Sequence, residues 1–151
     1  MLHFAYGSNL KIEFLKTILP NAKYVMKACI PNSEIQYSFW SKTQQAGISN
    51  IMHVPGKMVH GALFETTEEE MIALDTMEGI YVGDYSRKTF LALGEDGKWY
   101  PSELYQVIDP QGPFKPSESY VKGMLEGAKE LELDADYIKV IEKMYADSKV
   151  V

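Results

Sequence analysis

The stretch MLHFAYGSNL, residues 1–10, reads as a strand that runs straight into a turn, and the reading of that turn decides the fold. Leu2, His3, Phe4, Ala5 and Tyr6 are apolar or β-prone, and Gly7-Ser8-Asn9 interrupts them. From Leu10 the spacing becomes helical, with Leu10, Phe14, Ile18 and Leu19 on one predicted face. A strand that passes into a helix through Gly-Ser-Asn leaves backbone N–H groups without partners at the helix start. Gly7 lets the backbone come close to a ligand, and the helix dipole favours negative charge there. Such a turn suits a carboxylate or a developing oxyanion. It reads equally as a plain turn with an Asn or Ser N-cap, and these residues alone do not separate the two.

The wider composition sets the bounds. At 151 residues the chain is expected to form a single domain, residues 1–151, with a substantial core. Its 46% hydrophobic and 24% charged content fits a soluble globular protein. A net charge of −6 with scattered basic residues argues against a nucleic-acid surface, which needs clustered Lys and Arg. No signal peptide is expected, and no apolar run is long enough to span a bilayer. Cys29 is the single cysteine, which fits a reducing cytoplasm and reads as a small buried hydrophobe rather than a nucleophile.

Further along, residues 22–31 and 34–40 read as two strands with a turn at Pro31-Asn32-Ser33. Residues 47–54 and 58–65 read as a hairpin joined by Pro55-Gly56-Lys57, with His53 and His60 facing each other across it. In residues 58–64 both alternating sets are apolar or small, the pattern of a strand covered on both sides. Thr67-Glu68-Glu69-Glu70 is a capping box with acids in the first turn, and Gly79 is placed to stop the helix that follows. Residues 85–93 and 99–108 read as strands joined by a Gly94-Glu95-Asp96-Gly97 turn, and the prolines of residues 109–116 mark an ordered loop. Two helices follow, one from Ser117 carrying Tyr120, Met124, Ala128 and Leu131, the other carrying Tyr137, Ile141, Met144 and Tyr145. The order β-α-β-β-β-β-α-β-β-α-α predicts an α+β fold: a small curled, mostly antiparallel sheet or barrel with helices packed around it.

Chemistry concentrates at Leu74-Asp75-Thr76-Met77-Glu78-Gly79. Met71, Leu74 and Glu78, spaced i, i+3, i+7, share a helix face, so Glu78 falls on the buried stripe. It also lies at the negative end of the helix dipole. Both effects raise its affinity for a proton, as a general base working near neutrality requires. The alternative is a solvated Glu at a frayed helix end. Asp75 is the rival carboxylate, better used in a local hydrogen bond or as a surface charge. His3, His53 and His60 lack ligand spacing, so no metal site is expected. Ser8 lacks the surroundings of a nucleophile elbow, and Gly7-Ser8-Asn9 is neither a P-loop nor a dinucleotide fingerprint. Tyr81, Tyr85, Tyr105 and Tyr120 are candidate hydroxyl donors to a pocket, or core residues with the hydroxyl at the surface.

Phe4-Ala5-Tyr6-Gly7-Ser8-Asn9-Leu10, followed by Leu74-Asp75-Thr76-Met77-Glu78-Gly79, resembles the γ-glutamylcyclotransferase (AIG2-like) family. The likeness extends to residues 47–61, to Tyr85 and to residues 113–133. The resemblance implies a small mixed β-barrel with peripheral helices. It implies release of 5-oxoproline and an amine or amino acid from a γ-glutamyl compound, without metal or cofactor, by a monomer or homodimer. Within it, Glu78 would be the acid/base carboxylate. Tyr6, Gly7, Ser8, Asn9 and Leu10 would form the substrate-holding loop, with Tyr105 and Tyr120 lining the pocket. His60 stands where relatives often carry an aromatic or apolar residue, a departure expected to bear on the leaving group. A relative acting on γ-glutamyl amines, one trimming a γ-glutamyl group from a biosynthetic intermediate, and a non-catalytic binder of a small acidic metabolite remain alternatives.

Overall fold

In the computed structural model, which describes residues 1–150, five strands close into a barrel flanked by four helices. The elements are β1 (Leu2–Ala5), α1 (Ile12–Ile18), β2 (Lys23–Ser41), β3 (Ala46–Glu65) and α2 (Glu68–Met77), then β4 (Tyr85–Gly94), β5 (Trp99–Val107), α3 (Glu118–Glu130) and α4 (Ala135–Ser148). The strand order is β1-β3-β2-β4-β5. Every strand pair is antiparallel except β1 with β5, which closes the barrel in parallel at His3 opposite Glu103. This is the expected α+β barrel with peripheral helices.

The strand count differs from the seven segments read in the sequence, for a local reason. Pro31-Asn32-Ser33 and Pro55-Gly56-Lys57 do not turn the chain. Pro31 pairs with Met58 and Ser33 with His53, so residues 54–57 bulge opposite Asn32 alone. Asn32 and Gly56 both take positive φ, 52° and 83°, and the Gly56 amide donates to Asn32 Oδ1 at 3.0 Å. The two breaker clusters face each other and bend one long pair of strands, as bulges do. His53 and His60 therefore lie on the same strand, His60 opposite Cys29, and do not face each other.

The first helix also departs from expectation. A 3₁₀ turn at Ser8–Leu10 shifts its phase, so Leu10, Leu15 and Leu19 are buried whereas Phe14 is 41% exposed. The remaining helices follow the sequence reading. Thr67 closes its capping box with Glu70, Ser117 accepts from the Tyr120 amide, and Asp134 caps α4. Met71 and Leu74 of α2, Met124 and Ala128 of α3, and Ile141 of α4 are fully buried in one core with Phe4, Leu63 and Leu104 of the barrel. Loop 109–116 is ordered by its backbone: the Gln111 and Phe114 amides donate to Ser38 and Tyr37, and Lys115 accepts from Gly47. It thus packs along the β2–β3 end and contributes no residue to the cavity described next. No helix is long and apolar enough to cross a membrane.

Candidate active site

A cavity opens where the β1–α1 connection meets the end of α2 and strands β3, β4 and β5. Its walls include Tyr6, Gly7, Ser8, Asn9, Glu78, Tyr85, Tyr105 and Tyr120, with His3, Phe4, Ile48 and Ser49 behind them. Two sequence motifs nearly seventy residues apart are thereby brought together. The first helical bond of the loop runs from the Leu10 amide to Gly7 at 3.0 Å, so the Gly7, Ser8 and Asn9 amides come before any helical acceptor. A Cβ at Gly7 would stand 2.7 Å from Ser49 Oγ and 3.2 Å from the Tyr120 hydroxyl, so only glycine allows this approach.

Glu78 is held by the way its helix ends. Its amide donates to Leu74 at 2.9 Å, and Gly79 leaves the helix in the left-handed region at φ 73°. Glu78 is partly exposed as a residue, yet burial in the cavity pushes its carboxyl up to about 7. Its charge in turn raises the affinity of Tyr6, Tyr85, Tyr105 and Tyr120 for their protons, adding to the larger effect of burial on each. All four phenols stay neutral hydroxyls around one carboxylate. Tyr6 donates to the Tyr105 carbonyl at 2.6 Å, Tyr85 to the Ser49 carbonyl at 3.2 Å, and Tyr120 shares a 2.8 Å hydrogen bond with Ser49 Oγ.

Asp75 has a different environment from the one expected. It is buried, accepts from the Tyr105 hydroxyl at 2.7 Å, and pairs with Arg87 Nε at 3.0 Å. It is neither a surface charge nor a cavity carboxylate; it fixes Tyr105 from behind. Leu10, expected in the substrate loop, is instead fully buried in the core. Tyr81 is 70% exposed and lies outside the cavity. His60 also lies elsewhere, its ring 4.9 Å from Tyr137, so the departure at that position does not touch this site. The sequence reading missed Ile48 and Ser49, although residues 47–61 carried part of the resemblance, and it weighed His3 only as a metal ligand. Among the described residues no group of three or more His, Cys, Asp or Glu side chains is placed to hold a metal ion.

An outer cleft continues the cavity past Glu78 and Tyr120, adding Phe14, Ile18, Phe39, Gln44, Met77 and Asp84 to its walls. The inner cavity is crowded with the hydroxyls of Tyr6, Ser8, Ser49, Tyr85, Tyr105 and Tyr120. The outer one is walled largely by apolar side chains.

Comparison with known proteins identifies the family. A sequence model of the AIG2-like family matches residues 58–141, which include Glu78. Gamma-glutamylcyclotransferase of Bos taurus is 30% identical over 142 residues, covering 91% of this chain and 75% of the bovine one. The Homo sapiens gamma-glutamylcyclotransferase is 29% identical over 148 residues, covering 93% and 78%. A solved gamma-glutamyl cyclotransferase structure superposes with a TM-score of 0.89 at 27% identity, over 94% of this chain and 86% of that one. With a family model matching more than half of its length and a 30% identical relative matched over most of both chains, the chain belongs to the γ-glutamylcyclotransferase (AIG2-like) family.

Proposed function

We propose that the chain converts a γ-glutamyl compound into 5-oxoproline and a free amine or amino acid, with Glu78 as the base and acid. One observation carries this: the Glu78 carboxyl, raised to about 7 by burial, shares a cavity with the loop amides of Gly7, Ser8 and Asn9. The α-nitrogen of the substrate must attack its own γ-carbonyl, but in neutral water it is an ammonium and cannot. The Glu78 carboxylate takes a proton from it, and the freed amine forms the ring C–N bond. The γ-amide C–N bond then breaks, and the protons lost from the α-nitrogen end on the departing amine, delivered through Glu78. Such transfer typically contributes about 10²–10⁴-fold. Loop amides stabilise the carboxylate or the tetrahedral oxyanion, and Tyr6, Tyr105 and Tyr120 hold the chain curled for attack. The substrate supplies its own nucleophile, so no cofactor is required. A cytoplasmic setting is supported by the single free thiol of Cys29.

The outer cleft favours a particular leaving group. Phe14, Ile18, Phe39 and Met77 offer apolar surface, and the Asp84 carboxylate opposes an acidic side chain. Initial rates of 5-oxoproline release from γ-glutamyl-leucine, -phenylalanine, -alanine and -glutamate test this. The expected order places leucine and phenylalanine roughly tenfold or more above glutamate in kcat/KM. Equal rates across the panel would remove the preference, and no release from any would remove the reading.

A further inference from the structure

The outer cleft forks at its mouth. Ser8, Phe14, Gln44 and Tyr120 line it, and the same residues line a second branch whose further walls are Lys11 and one face of α3. Ser119, Lys122, Gly123 and Glu126 of that face are spaced i, i+3, i+4 and i+7, while Val121, Met124 and Leu125 hold the opposite side of the helix in the core. The two branches differ in charge. The apolar one carries the carboxylates of Glu78 and Asp84 and no cation. The second carries two lysines against one glutamate. Glu126 is held below the usual carboxylate range first by its contact with Lys11, with Lys122 a lesser cause. Lys122 is exposed and makes no salt bridge among the described residues, so one positive charge is left over at the fork.

Gly123 adds an independent sign of a ligand. Glycine inside a helix is destabilising relative to alanine. Packing does not require it here, since a Cβ at Gly123 would meet nothing within 4 Å. Gly127, one turn on, is the contrast: a Cβ there would stand 2.5 Å from the Leu10 backbone, so the fold needs that glycine. At Gly123 the helix instead leaves open space beside the uncommitted Lys122 ammonium.

We propose that the fork sorts the two substituents on the α-carbon of the leaving residue. The side chain enters the apolar branch, and the carboxylate lies over Gly123 against the Lys122 ammonium. This rests on the γ-glutamylcyclotransferase reading of the site and makes Lys122 and Gly123 specificity-determining residues. With the scissile nitrogen held near Glu78, the leaving residue is fixed at three points, so its handedness is read. The mirror-image residue has to set its carboxylate towards Asp84 and its side chain towards the lysines, a mismatch in both branches.

Initial rates at low ionic strength on γ-glutamyl-L-leucine, γ-glutamyl-D-leucine and γ-glutamyl-L-leucinamide test this. The native protein is expected to separate the two hands of leucine by roughly tenfold or more in kcat/KM. It should favour leucine over its carboxamide by roughly fivefold, an advantage that salt at about 0.5 M removes. Lys122→Met keeps the stem and the helix propensity and should bring the leucine-to-leucinamide ratio below about twofold, whereas Lys122→Arg should retain it. Gly123→Ala should raise the denaturation midpoint yet lower kcat/KM for γ-glutamyl-L-leucine roughly threefold or more, opposite signs that a purely structural glycine would not give. A native leucine-to-leucinamide ratio already below about twofold, a ratio unchanged by Lys122→Met, or a Gly123→Ala rate equal to native overturns the proposal. In each of those cases turnover of γ-glutamyl-L-leucine by the native protein leaves the functional reading standing. No turnover of any of the three compounds overturns both.

Discussion

Glu78 is a residue the fold would be more stable without. Its carboxyl binds a proton more tightly in the folded chain, at about 7, than at its ordinary 4.5. The folded state therefore holds more protons than the unfolded state between those values, and stability falls as pH rises from about 4.5 through 7. Glu78→Gln is expected to be more stable than native by about 1–3 kcal/mol at pH 8, with the advantage gone near pH 4, in denaturant titrations at both pH values. Activity has the opposite sign: kcat/KM should rise through pH 7 as Glu78 ionises in the free enzyme. Asp75 behaves differently because its carboxylate is already committed to Tyr105 and Arg87. Asp75→Asn should lower stability by about 1–3 kcal/mol and keep the rise in kcat/KM near neutrality. Loss of that rise would return Asp75 to the role of base. Helix periodicity alone placed Glu78 on the buried stripe. It could not show the role of Asp75, because Tyr105 and Arg87 reach it from strands fixed only by barrel closure.

The element that matters most for the chemistry is the end of α2. Thr67 and Glu70 fix its start, and Gly79 fixes its stop, so Glu78 sits at a defined point rather than on a frayed turn. Gly79→Ala would force an L side chain into positive φ and bring its Cβ to 3.3 Å from Asp84. Denaturation should show a loss of about 1–2 kcal/mol, and initial rates a fall of roughly fivefold or more as Glu78 shifts. Unchanged rates would mean that the helix end does not position the carboxylate. These caps were legible because their side-chain hydrogen bonds are local. The breakers at Pro31 and Pro55 were misread because their effect is not local: paired across a ladder they make a bulge, and alone they would make a turn. The same limit applied to Phe14, whose face was set by the 3₁₀ turn before it.

At the scale of the molecule, barrel closure brings the first ten residues to the end of α2. The bend at Asn32 and Gly56 lets β3 pair with β2 along its length while its second half also carries β1. That arrangement puts the loop after β1 opposite Glu78, and no periodicity in the sequence states it. What the sequence did carry was the pair of motifs, Tyr6-Gly7-Ser8-Asn9 and Leu74-Asp75-Thr76-Met77-Glu78-Gly79, whose joint presence implied the site before its geometry was seen. The most direct test of that site is 5-oxoproline release from γ-glutamyl-leucine by the native chain and by Glu78→Gln at pH 8. The account predicts turnover by the native chain and a loss of about 10²–10⁴-fold in the variant, with ligand binding retained. A variant within tenfold of the native rate would contradict it and move the proton transfer to another group.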